Sequence, residues 1–380
     1  MLSETKRTWA EVSINALQYN INNLRAALPE GCLLCAAVKA NAYGHGAVPV
    51  SKLLLSFGCD ALAVATLDEA EELRSAGITA PMLILGYTPP EYTDRLIMAN
   101  CDQTVGTLET ARAYAQALAG TGQRLKIHIK LETGMGRTGF DVKRGDLTQI
   151  LELLAMDCFD FVGVFSHFPV PEVPAQQDFT LRQLELFNSV VAELEAASGV
   201  KIPYKHCANS GAIIRYPQSH LDMVRAGITL YGLHPGAECT QLDLIPAMTL
   251  KSRIVQLFDL HPGDTVSYGR TFTAQRDMKI AVLGIGYADG LHRALSGKID
   301  VLIGGVRCPQ IGKICMDMCM VDVSALDEAE AKLQIGDVAV IFGRDKTGSI
   351  PLGELAEKAE TISYELLCSI TARVPRVYVN

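Results

Sequence analysis

The feature that most limits what this chain can fold into is a series of short apolar runs alternating with helical periodicity through its first two-thirds. CLLCAAVK (32–39), ALAVAT (61–66), PMLILG (81–86), DQTVG (102–106), KIHIKL (126–131), FVGVFSHF (161–168), KHCANS (205–210) and MVRAGITLYG (223–232) are mostly bounded by Gly, Pro, Asn or Asp. Most are apolar throughout, the pattern of strands covered on both faces. Between them, LTQILELLAM and LRQLELFNSVVAELEAA repeat apolar residues at helical spacing. Asp68 is placed to cap DEAEELRSAG, and Asn15 to cap a helix with Leu17, Ile21, Leu24 and Leu28 on one face. Eight strand–helix units over about two hundred residues predict a parallel (β/α)₈ barrel. Periodicity alone leaves a doubly wound sheet open.

After about residue 237 the pattern becomes strands separated by turn residues: TLKSRIVQLFDL, HPGDTVSYG, KIAVLGIGY, IDVLIGGVRCPQIGKI, CMVDVSAL and DVAVIFG, with Gly304–Gly305 a hairpin turn. Only LGELAEKAE and YELLCSITARV read as late helices. The expected division is a barrel over 1–236 and a mostly β domain over 237–380, with residues 1–12 able to pack with the second. A net charge of -8 argues against nucleic acid or an anionic membrane as partner. No window approaches the 18 or more apolar residues of a membrane helix, and MLSETKRTWAEVS lacks the apolar core of a signal peptide. The 11 irregularly spaced cysteines fit free thiols in a reducing cytoplasm. Cys32/Cys35 and Cys315/Cys319 have no partner pair at zinc spacing, so no metal is expected.

The strongest local signal is VKANAYGHG, residues 38–46. Lys39 ends an apolar strand, and the C-terminal end of a barrel strand opens into the usual active-site mouth. Burial there lowers an amine's pKa and frees it to form a Schiff base, whereas an isolated lysine would more often cap a strand at the surface. In KIHIKL, Lys126, His128 and Lys130 share a face where a parallel-barrel strand should be apolar. Gly134-Met-Gly136-Arg-Thr-Gly139 matches a dinucleotide-binding pattern, but FDVKRGD separates it from the next helical run and Arg137 sits inside the turn, so that reading is rejected.

With these residues in place, the chain resembles the alanine racemases, the barrel-type pyridoxal-phosphate racemases. VKANAYGHG is that family's lysine motif, and the resemblance continues through TWAEVSINALQYNI, ATLDEA, LGYTPP, KLETGMGRTGF, SHF, HCANS, VRAGITLYG, VSYG, GYADG, CMD, SYE and RVPRVY. It implies pyridoxal 5′-phosphate on Lys39, with Lys39 and Tyr268 as the two bases of alanine racemisation, one per face of Cα. Tyr43, Ser210, Tyr364 and the amides of Gly227 and Ile228 are expected to hold the phosphate, with Asn209 beside them. Arg225 is expected to face the pyridine nitrogen and keep it unprotonated, restricting side reactions, with His167 linking it to the catalytic tyrosine. Lys130 is expected to be carbamylated and to position Arg137. Arg137, Tyr287, Met316 through its N–H, and Asp317 form the expected substrate side, and a head-to-tail homodimer with shared sites is implied. D-alanine for peptidoglycan would be the product. His128, His206 and His234 receive no role and are read as structural.

Three rivals differ in testable ways. A barrel-type decarboxylase, which the Cys315-Met-Asp317 run superficially resembles, should place a carboxylate where Arg225 stands. A non-catalytic pyridoxal-phosphate carrier should lack the second domain and Tyr268. A serine-active or broad-specificity racemase is closest, although Tyr364 narrows the pocket in favour of alanine. The chain departs from the family pattern after His167, where FPVPEVPAQQDF brings prolines at 169, 171 and 174, and at Lys313 and Met318, where arginine and glutamine are common.

Overall fold

A computed structural model describes residues 6–328, 332–346 and 348–380. Residues 1–5 of the N-terminal stretch read above lie outside the described part. The described residues divide into two compact units, one of residues 16–42 and 47–245, the other of the described residues within 6–15, 43–46 and 246–380.

The first unit is the barrel. Its strands, in sheet order, are Met223–Ala226, Leu33–Ala37, Ala61–Val64, Met82–Ile84, Asp102–Val105, Leu125–Glu132, Phe159–Phe165 and Tyr204–His206, and every pairing among them is parallel. The first and last of these meet where Asp222 N–H donates to Lys205 O (3.1 Å) and Arg225 N–H donates to Ala208 O (2.9 Å). That closure excludes the doubly wound alternative. Strand residues such as Leu34, Leu62, Ile84, Ile127 and Val164 are fully buried, as a sheet covered by helices requires.

Two helix starts differ from the sequence expectation. Thr66, not Asp68, caps the helix Leu67–Ser75 by accepting the Glu69 N–H, and Asp68 lies in the first turn, where its charge suits the helix dipole. Asn15 lies inside the helix Ile14–Ala26, whose buried stripe is Leu17, Ile21 and Leu24. Leu28 falls beyond that helix.

The second unit is a mixed, mostly antiparallel sheet. Its order is Ser349–Ile350, Val338–Arg344, Asp300–Ile303, Val306–Ile311, Cys319–Asp322, Met278–Leu283, Met248–Leu260, Thr8–Ser13 and Arg376–Val379. Val338–Arg344 also pairs with Met248–Leu260, so six of these strands close into a ring. Gly304 and Gly305 have φ of 56° and 86°, the left-handed pair a two-residue hairpin needs. The late helical stretches form Leu352–Lys358 and Ser363–Cys368.

Candidate active site

Lys39 follows the strand Leu33–Ala37 and is half-buried. The four residues after it, Ala40, Asn41, Ala42 and Tyr43, all have φ between 51° and 54°, a left-handed helical turn. L-residues resist that conformation by about 1–2 kcal/mol each, so the surroundings must impose it. In the barrel unit, Glu69 accepts N–H groups from both Ala40 and Ala65 (2.7 Å each), and Asn41 Oδ1 accepts the Ala47 N–H (2.7 Å). In the β unit, Arg376 Nε donates to Gly44 O (2.7 Å), and the Tyr378 hydroxyl donates to His45 O (2.9 Å). A Cβ on Gly44 would lie 2.2 Å from Leu367 O, so only glycine fits.

Arg225 leaves the strand Met223–Ala226 into the barrel interior and is buried. Its Nη1 donates to His206 Nδ1 (2.6 Å) and His206 O (3.2 Å). Its Nη2 donates to Ser166 O (2.7 Å) and Cys207 O (3.2 Å) and lies 3.3 Å from His167 Nδ1. Among the described residues, no bond uses its Nε–H and no carboxylate pairs with it. Burial without an anion pushes this guanidinium down to about 10. His167 and His206 are held well below the ordinary histidine value, chiefly by burial and then by Arg225, so both rings are neutral. His167 Nε2 lies 3.4 Å from Asn209 Nδ2.

Lys126, His128 and Lys130 share one face by strand alternation, and its His128–Lys130 part is in the barrel interior while its Lys126 end is solvated. Lys126 is exposed, whereas His128 and Lys130 are 2% and 4% exposed. Lys130 Nζ donates to Thr138 Oγ1 (2.6 Å) and sits 5.5 Å above the Phe165 ring. Burial first, then the charges of Arg137 and Arg225, push its amine down from 10.5 to about 8. Arg137 is exposed. The glycine-rich turn around it is organised by Glu132, whose carboxylate accepts the N–H groups of Gly134, Gly136 (2.8 Å) and Arg137 (3.3 Å). An anion already fills that nest, and the next helix starts only at Leu147, which agrees with rejecting a nucleotide site.

Asn209 caps the helix Ser210–Arg215 by accepting the Ala212 N–H (3.2 Å). Ser210 Oγ accepts the Gly227 N–H (2.9 Å) and lies 3.0 Å from Thr229 Oγ1, while Ile228 opens the 3₁₀ turn Ile228–Tyr231. A hydroxyl and the start of a helical turn thus converge, as an anion cradle requires. The proline-rich segment packs against this helix: a Cβ on Gly211 would meet Pro171 Cγ at 3.0 Å, and Arg215 Nη1 donates to Pro171 O (3.3 Å).

In the β unit, Tyr43 and Tyr364 lie with ring centroids 6.0 Å apart. Burial pushes the Tyr43 hydroxyl up to about 12, so it remains a proton donor. Tyr268 is 70% exposed on a turn where Ser267, Gly269 and Arg270 all have positive φ. The loops carrying Tyr287 and Met316 are joined by Tyr287 N–H to Cys315 O and Ala288 N–H to Met316 O, both 3.0 Å. Asp317 is gripped by Arg7 through its carbonyl and by Arg373 through its carboxylate (2.8 Å each).

Two family models, the alanine racemase N-terminal and C-terminal domains, match residues 12–235 and 247–378. The chain belongs to the alanine racemase family. A curated alanine racemase from Desulfovibrio desulfuricans is 41% identical over the whole of both chains. The solved alanine racemase of Clostridium difficile 630 superposes with a TM-score of 0.92 at 38% identity, over 99% of this chain and 96% of that one. A histidine racemase from Leuconostoc mesenteroides has the same fold, with a TM-score of 0.89 at 29% identity over 99% of each chain. Membership makes this protein a racemase dependent on pyridoxal 5′-phosphate. Its residues fit that cofactor: a half-buried lysine at a strand end, the Ser210 cradle, and the Arg225 Nε–H with no partner among the described residues. Sequence reasoning missed His206, which holds Arg225, and Phe165, which stacks on it. The signal available was His128 beside Lys130 on an interior face. No described helix is long and apolar enough to cross a membrane.

Proposed function

We propose that this protein interconverts L-alanine and D-alanine in the cytoplasm, supplying D-alanine for peptidoglycan. Arg225 carries the reading: a guanidinium, rather than the carboxylate of a decarboxylase, stands in the barrel with an Nε–H to donate to the pyridine nitrogen. Lys39 would hold the cofactor covalently. Ser210, the Gly227 and Ile228 amides, and the hydroxyls of Tyr43 and Tyr364 would hold its phosphate, with Asn209 and His167 alongside. When bound, pyridoxal phosphate withdraws electrons from the amino acid and makes its Cα proton acidic.

Lys39 exchanges that proton on the D side and Tyr268 on the L side. The exposure of Tyr268 supports a head-to-tail homodimer in which each β unit serves the neighbouring barrel. Arg137, Tyr287, Asp317 and the Met316 N–H would receive the substrate carboxylate and shape its entrance. At about pH 8 the Lys130 amine is substantially neutral and can add to carbon dioxide, forming an N–C bond and releasing a proton. The cationic surroundings that depress the amine, Arg137, Arg225 and Lys39, would favour the resulting carbamate.

A serine-active or broader racemase is the second reading, favoured by the proline segment packed on Gly211 and by a relative that racemises histidine. The test is chiral product analysis with L-alanine, L-serine, L-lysine and L-histidine, with borohydride trapping of the cofactor and peptide mapping. D-alanine forming fastest, with the label on Lys39, is expected. Faster turnover of another amino acid would establish the second reading. No trapped cofactor would overturn both.

A further inference from the structure

Three polar side chains inside the barrel remain outside this reading, and they form a line. Arginine can only donate, so His206 Nδ1 accepts from Arg225 and the neutral ring carries its proton on Nε2. That nitrogen lies 2.9 Å from His128 Nδ1, so His206 donates and His128 accepts. The His128 proton then falls on Nε2, which faces Asp102 Oδ2 at 3.4 Å. Every proton therefore points from Arg225 toward Asp102.

The rings are held in this order by packing. Phe165 stacks flat on His206, with centroids 4.9 Å and planes 5° apart, and His128 meets His206 edge-on. Gly163 makes room for the His128 ring, because a Cβ there would lie 2.4 Å from Nδ1. The neighbouring thiols Cys35 and Cys207 are pushed up to about 12 by burial and supply no negative charge. Asp102, His128 and Lys126 line a cavity of about 290 Å³ together with Leu33, Tyr204 and Met223, each of which starts a barrel strand. The line thus crosses the barrel, from the mouth where Lys39 emerges to the opposite one.

We propose that His206, His128 and Asp102 are positioning residues for Arg225, a one-directional line, hydrogen-bonded from Arg225 through His206 to His128 and ending 3.4 Å from the Asp102 carboxylate at the far mouth of the barrel, that locks the guanidinium. The proposal rests on Arg225 being the cation that faces the cofactor. With Nη1 held by an accepting imidazole and Nη2 by backbone carbonyls, only Nε–H is left to aim. An imidazole in the other tautomer would present N–H to Nη1 and drive the guanidinium away. Asp102 fixes the tautomers of both rings because a carboxylate accepts and cannot donate.

The experiment uses the cofactor-loaded protein labelled with ¹⁵N-histidine, the His128 signals being assigned through a His128→Phe variant and the His206 signals through His206→Gln. Both rings should carry their proton on Nε2 alone, and a proton on Nδ1 of either overturns the proposal without any further variant. Asp102→Leu should shift the His128 signals and lower kcat roughly tenfold, with KM within about twofold. Asp102→Asn, whose carboxamide oxygen still accepts, should recover most of the loss. A folded Asp102→Leu protein with unchanged signals and unchanged kcat also overturns it. Failure of the wild-type protein to racemise alanine would count against the functional reading, and the tautomer result would still stand or fall separately.

Discussion

Phe165 lies flat against His206 and carries two cations over its ring, Arg225 at 5.1 Å and Lys130 at 5.5 Å. One apolar side chain therefore orders three of the polar groups around the site. Phe165→Leu should destabilise the protein by roughly 2 kcal/mol, through lost packing and lost cation–π contact, and should lower kcat as well. Denaturant midpoints and initial rates measure the two effects. A variant as stable and active as wild type would show that the stack orders nothing.

Lys130 gives a signed pH dependence. Its pKa falls from 10.5 to about 8 on folding, so the folded chain resists protonating it while the unfolded chain does not. The penalty is complete below pH 8 and is relieved as pH rises toward 10.5. In bicarbonate-free buffer, Lys130→Met should therefore be more stable than wild type by roughly 2 kcal/mol at pH 7, with the gap closing at alkaline pH. Bicarbonate should close it too, by carbamylating the wild-type amine, and ¹³C-bicarbonate should give a carbamate signal absent from the variant. A stability gap indifferent to both pH and bicarbonate would contradict this account.

The left-handed turn after Lys39 can be probed at Ala40, whose side chain is exposed, so that a substitution reads the backbone alone. Ala40→Val should cost about 2 kcal/mol because a branched Cβ resists positive φ. Ala40→Gly should stay within about 1 kcal/mol of wild type, since relief of strain offsets the greater freedom of the unfolded chain. Urea denaturation of the two variants, side by side, measures both, and equal stability would mean the turn stores no strain.

Arg225→Glu would bury a carboxylate against two neutral imidazoles. Hydrogen bonding to the pyridine nitrogen would then favour its protonated form. We expect racemisation to fall by more than tenfold and transamination products to rise. An unchanged ratio of keto acid to D-alanine would remove Arg225 from control of reaction specificity.

The barrel was legible because most of its strands are read as short apolar runs, and Gly304–Gly305 announced its hairpin by residue type alone. KIHIKL also gave its secret in part: three polar residues on a face that had to be interior. What the sequence could not show was who meets whom. His206 lies 78 positions from His128 and 19 from Arg225, so their contact is a product of closing the barrel. The left-handed turn was equally hidden, since Ala and Tyr do not favour it and distant residues impose it. Asp68 and Thr66 are both good caps, and the choice between them came down to where the strand before them ended.

The segment 43–46 takes its partners from the far end of the chain: Arg376 reaches Gly44 across 332 positions, and Tyr378 reaches His45 across 333. The strand Arg376–Val379 is also laid beside Thr8–Ser13. A ribosome delivers residues 43–46 more than three hundred positions before the clasp that holds them. The chain can therefore build its parallel strands while still being translated, yet residues 43–46 stay without their clasp until translation has passed residue 378, which delays the moment at which that segment is set in place.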